Sequence, residues 1–160
     1  MRSHMMALSA ALAFLPLPGL AHDSVAIIAP CARTTGGAGG NAAVFMVIDK
    51  HANREDRLIA VSTDAATKAR LHTHSMSADG MMQMLPATEG FAIPLLGQHA
   101  LARGVDHVML TGLTHALVDG DIITLTLTFA ASGEMTVAVP VDNARIDNAT
   151  GQTHDHGTDH

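Results

Sequence analysis

Residues 122–129 read Ile122-Ile123-Thr124-Leu125-Thr126-Leu127-Thr128-Phe129, and from Ile123 onward every second residue is apolar. Successive side chains of a strand point to opposite faces, so Ile123, Leu125, Leu127 and Phe129 share a buried face and the threonines share the other. Outward from this strand the chain breaks into further short extended runs separated by turn residues: Val25 to Ala29, Ala42 to Ile48, Leu58 to Ser62, Ala69 to Met76, Met81 to Leu85, Phe91 to Ile93, His99 to Leu101, His107 to Leu110 and Met135 to Val139. Thr34 to Asn41 is a glycine-rich loop and Asp49 to Arg57 a charged connection. Asp64 to Lys68 reads as a helical turn, and no long amphipathic helix or internal repeat is visible. Many short strands at regular turn spacing predict an antiparallel sandwich or barrel.

The ends have a different character. Arg2, the apolar run Met5 to Leu15 and the short segment Pro16 to Ala21 follow the order of a secretory signal peptide. The apolar run is shorter than the ~20 residues of a membrane-spanning helix. Cleavage is expected after Ala21, leaving His22 at the mature N-terminus of a periplasmic protein with no stable membrane insertion. From Asp142 the apolar pattern stops, and Gly151 to His160 reads as a disordered polar tail. The expected layout is therefore a signal peptide over 1–21, one folded domain over 22–141 and a His/Asp-rich tail over 142–160.

The formal charge is −6, and it becomes −7 without residues 1–21, whose one charged side chain is Arg2. So acidic a chain has no electrostatic footprint for nucleic acid or an anionic membrane. The single cysteine, Cys31, excludes an internal disulfide, and Pro30-Cys31-Ala32 reads as a buried small residue. A reactive thiol or an intermolecular disulfide is the alternative.

The chemistry lies in a series of histidines and methionines at strand spacing: His72-Thr73-His74-Ser75-Met76, Met82-Gln83-Met84 and His107-Val108-Met109. His72, His74 and Met76 share one strand face, as do His107 and Met109. A three-residue turn, Ala78-Asp79-Gly80, with Gly80 left-handed would set Met76 across from Met82 and His74 across from Met84. His72 would then lie diagonally from Met84. A two-residue Asp-Gly turn would instead put Met84 on the opposite face. A lone Met on a strand is usually core filler, and a lone His is usually hydrogen-bonded or at the surface. Apolar packing, however, gives no reason for His to recur beside Met on one face. Imidazole with thioether suits cuprous copper better than zinc or magnesium. His51, His99 and His115 lack such neighbours and read as structural.

These residues resemble the periplasmic copper chaperones called PCu(A)C. The likeness runs through Leu71-His-Thr-His74, Gly80-Met-Met-Gln-Met84, Ile93-Pro94, His107-Val-Met-Leu-Thr-Gly-Leu113 and Gly120-Asp-Ile-Ile-Thr-Leu-Thr-Leu-Thr-Phe129, within roughly Ser24 to Val141. The resemblance implies a cupredoxin-like antiparallel Greek-key β-sandwich. It also implies Cu(I) held by His72, Met84, His107 and Met109, and delivery to the CuA centre of cytochrome c oxidase or to another assembly protein. Cys31 stands where the family usually has Trp, and Phe45 where Tyr is common. The interval from Met84 to His107 is one residue longer than usual, with the extra residue expected within Pro86 to Gly90.

Other classes fit less well. A blue-copper carrier needs Cys beside two His, and Cys31 is far in sequence from every candidate. An enzyme using the amine and imidazole of His22 lacks an identifiable second His. No Gly-x-Ser-x-Gly or His-Glu-x-x-His motif supports a hydrolase. A zinc or copper buffer is the alternative for the tail, where His154, His156 and His160 with Asp155 and Asp159 suit Cu(II) or Zn(II). A purely structural sandwich would carry no metal. The expected protein is thus a non-enzymatic copper carrier.

Overall fold

The computed structural model describes residues 25–145, which form ten strands and no helix. They are β1 (Val25–Thr35), β2 (Asn41–Lys50), β3 (Asp56–Ser62), β4 (Ala66–Met76), β5 (Met82–Pro86), β6 (Phe91–Ile93), β7 (Gln98–Leu101), β8 (His107–Leu113), β9 (Ile122–Phe129) and β10 (Gly133–Pro140). One sheet runs β1-β2-β8-β4-β5, with β7 also on β2, and the other runs β10-β9-β3-β6. Every pair of these strands is antiparallel. The fold is an antiparallel two-sheet sandwich, as the strand pattern and the resemblance predicted.

The alternating strand β9 lies at the centre of the second sheet. Ile123, Leu125, Leu127 and Phe129 are buried, while Thr124, Thr126 and Thr128 face away. Opposite them, Ala42, Val44, Met46 and Ile48 of β2 and Val108 and Leu110 of β8 close the core from the first sheet. Each fully buried Leu or Val contributes roughly 1.5–3 kcal/mol. Because alternation sends Val44, Val108 and Leu71 inward, their strand neighbours Phe45, His107, Met109 and His72 are directed to the outer face of the same sheet.

Two expectations need correction. Asp64 to Lys68 is not a helical turn: β4 begins at Ala66, and Lys68 pairs with Thr111 of β8. Burial of Ala65 and Ala66 and long-range pairing override the local preference. The first strand does not stop at Ala29 but continues through Pro30 to Thr35. Its register on β2 shifts between Ile28 and Cys31, where Ala29 has φ 49°. This bulge on an edge strand accommodates Pro30, which has no N–H to give to a ladder.

Cys31 is fully buried, as expected. Past the boundary read at Asp142, the chain stays pinned through Arg145. Thr34 N–H and Asn143 N–H donate to Asn143 Oδ1 and Asp119 Oδ1, both at 2.8 Å, and Arg33 donates to the Asn143 carbonyl at 3.1 Å. The signal peptide over 1–21, the mature terminus at His22 and the histidines His154, His156 and His160 lie outside the described residues.

The charged connection between β2 and β3 hides a buried ion pair. Lys50 Nζ lies 3.1 Å from Asp56 Oδ2, both side chains are wholly inaccessible, and Lys50 also donates to Ser132 Oγ at 2.7 Å. Asp56 accepts from the N–H groups of Arg57, Ala131 and Ser132 and from the Ser132 hydroxyl. Burial alone would raise the Asp56 pKa. The hydrogen bonds from Ser132, Ala131, Arg57 and Lys50 outweigh it and bring the value down to about 2.

Candidate metal centre

The β4–β5 hairpin sets the first half of the site. Ser77 N–H donates to Met81 O at 2.8 Å, enclosing the turn Ala78-Asp79-Gly80, and Gly80 has φ 78°. A side chain is costly in that left-handed position and glycine is not, which selects the three-residue turn over the two-residue one. The register follows: Met76 lies opposite Met82, His74 opposite Met84, and His72 opposite Pro86.

The second half comes from β8, which lies beside β4 although three strands intervene in sequence. His107 pairs with His72 and Met109 with Arg70, while Met109 also faces Ala43 of β2. The structure therefore brings His72, His74, Met84, His107 and Met109 onto one outer face. The His107 ring centroid lies 5.9 Å from that of His72, 5.3 Å from that of His74 and 6.3 Å from that of Phe45. A groove of about 350 Å³ opens here, with His74, Met84, His107 and Met109 on its wall and Arg33 and Arg103 also lining it.

His107 is buried, and its Nδ1 lies 3.0 Å from the Val105 carbonyl oxygen. A carbonyl can only accept, so Nδ1 carries the proton and Nε2 keeps the lone pair a metal needs. The turn between β7 and β8, closed by Ala102 N–H donating to Asp106 O at 2.9 Å, holds this carbonyl in place. Sequence reasoning missed it, because a backbone acceptor leaves no mark in residue type.

The Nδ1 atoms of His72 and His74 are shut off from solvent and meet no hydrogen-bond partner. Such an orphan costs about 1–3 kcal/mol unless something binds it. The His72 imidazole is held below its usual pKa, first by burial and then by His107, Arg70 and His74. The shift favours the neutral ring, the form that can donate to a metal.

Among the described residues, no three His, Cys, Asp or Glu side chains gather into a metal-binding group. The donors on this face are imidazoles and thioethers, a neutral set that matches a soft monovalent ion. Met76 and Met82 sit nearer the exposed hairpin tip. His51, His99 and His115 have other company: Asp49 at 3.4 Å, Asp106 at 2.9 Å with Phe91 stacked on the ring, and Thr114 at 3.1 Å.

Comparison with known proteins agrees with this architecture. The family described as "Putative lipoprotein LpqE-like" matches residues 25–141. The "Putative lipoprotein Lxx21020" of Leifsonia xyli subsp. xyli is 31% identical over 124 residues, 78% of this chain and 73% of that protein. Among solved structures, apo-DR1885 from Deinococcus radiodurans is 25% identical with a TM-score of 0.58, over 91% of this chain and 97% of that one. The structure described as "Copper-bound PCuAC domain from PmoF2" is 24% identical with a TM-score of 0.60, over 74% of this chain and 92% of that one. With its sandwich, its outer-face site and this match across the whole described fold, the chain belongs to the LpqE-like lipoprotein family and has the fold of the PCuAC domains.

Proposed function

We propose that this protein is a non-enzymatic copper carrier working outside the cytoplasm, with Cu(I) as its cargo. The observation that supports this best is the pair of neutral thioethers, Met84 and Met109, on one sheet face with imidazoles whose buried nitrogens lack a partner. Met84, His107 and Met109 supply three donors. A β4 imidazole supplies the fourth, which the family resemblance assigns to His72. The PCuAC domain of PmoF2, which has this fold, is copper-bound, and that supports copper as the cargo here.

The chemistry required is ligand exchange. Met84 is 45% exposed on the edge strand β5, so an incoming donor reaches its sulfur first. Buried His107 holds the metal from the other side. Neutral ligands make release to a stronger acceptor inexpensive, and thioethers avoid the disulfide chemistry open to a thiolate in an oxidising compartment. The acceptor in this reading is the CuA subunit of cytochrome c oxidase or another copper assembly protein. Cys31 lies inside β1 and offers no exposed point for a thioether-linked lipid.

The test is anaerobic Cu(I) titration against a competing chelator. Met109→Leu conserves volume and apolarity while removing the sulfur, so folding should survive and Cu(I) affinity should fall. Unchanged affinity would falsify the assignment.

A further inference from the structure

We propose that His74 is a copper ligand in this chain, supplying the imidazole that completes the set with Met84, His107 and Met109 on the groove wall. This rests on the copper reading above and asks which β4 imidazole meets the metal. Three observations single out His74 from His72, and a fourth, which the two share, marks it as able to take a cation. In the hairpin register it stands opposite Met84, whereas His72 stands opposite Pro86, which has no donor side chain. It lines the groove with Met84, His107 and Met109, and His72 is not among the residues that line it. Its ring is the nearer of the two to His107, 5.3 Å against 5.9 Å, and is tilted by 44° where His72 presents an edge at 77°. Its Nδ1 is closed to solvent with no partner, so a bound cation would satisfy an atom that nothing else does.

The same geometry gives His72 a distinct place. It pairs with His107 directly across β4 and β8, two residues from His74 along β4, and its Nδ1 is likewise unpartnered.

The experiment uses the full chain labelled with nitrogen-15 in histidine, titrated anaerobically with Cu(I) to one equivalent. Imidazole nitrogen shifts are followed alongside the affinities of His74→Leu and Met109→Leu. The proposal expects a His74 ring nitrogen to shift on binding and His74→Leu to lose at least about tenfold in Cu(I) affinity. Far-UV circular dichroism and the β4–β5 amide pattern show whether each variant keeps its hairpin, and the wild-type ring shift decides the question if a variant does not. A silent His74 ring, with His74→Leu binding like the parent while Met109→Leu does not, overturns the proposal and leaves the groove reading intact. If Met109→Leu also binds like the parent, the groove reading falls and this proposal falls with it.

Discussion

Replacing Asp56 by alanine strands the Lys50 ammonium inside the protein, and the size of the penalty follows from its surroundings. Both side chains are wholly inaccessible, and without Asp56 the remaining contact given to Lys50 Nζ is Ser132 Oγ. The N–H groups of Arg57, Ala131 and Ser132 lose their acceptor at the same time. Breaking a buried pair from one side costs about 3–5 kcal/mol, a large part of the roughly 5–15 kcal/mol that stabilises a domain. Replacing both partners by apolar residues, Lys50→Met with Asp56→Leu, should recover about 2 kcal/mol or more of that loss, because no charge is left unpaired. Acid offers an independent check. The Asp56 pKa falls from 3.8 to about 2 on folding, and at 1.36 kcal/mol per unit this contributes about 2 kcal/mol. A depressed carboxylate pKa means the contribution is complete above about pH 4 and is lost as pH falls through the folded value. Urea melts of the parent and both variants, from pH 7 down to pH 2, measure both effects. A loss below about 1 kcal/mol in Asp56→Ala, or a double variant no better than the single one, would refute the reasoning.

Cu(I) affinity should weaken as pH drops below about 6.5, by up to about tenfold per unit for each imidazole that must shed a proton. Because the folded His72 pKa is lowered, its neutral form stabilises the fold fully above the unfolded value, and that contribution is lost as pH falls through the folded one. An affinity flat down to about pH 5 would point to a thioether-only site built from Met76, Met82, Met84 and Met109. Gly90→Ala, at φ 70° with its new Cβ driven into the Leu58 carbonyl, should lose at least about 3 kcal/mol in the same melts. Gly80→Ala, at φ 78° but in open space, should lose only about 1–2 kcal/mol, and equal losses would count against the steric account. Replacing His154, His156 and His160 together by Asn should lower Cu(II) uptake and leave Cu(I) affinity nearly unchanged, measured by equilibrium dialysis; equal Cu(II) uptake would return the tail to a passive role.

Period-two alternation is a local property, so Ile123 to Phe129 announced a strand and its buried face before any partner was known. The hairpin was legible for a related reason: once Gly80 takes the left-handed position of a three-residue turn, the His74–Met84 and Met76–Met82 registers follow from counting. Ligand chemistry was legible too, since imidazole and thioether donors are fixed by residue type. Contacts across long sequence separations were not. That β8 docks on β4, that the Val105 carbonyl sets the His107 tautomer, and that His74 rather than His72 reaches the groove wall depend on how sheets pack. The Lys50–Asp56–Ser132 cluster shows the same divide, because a charged stretch reads as a solvated loop until the β9–β10 turn closes over it. Alternation along one strand says which face a side chain takes, but only the assembled sandwich decides what stands opposite, because that is set by pairings between segments whose sequences carry no record of each other.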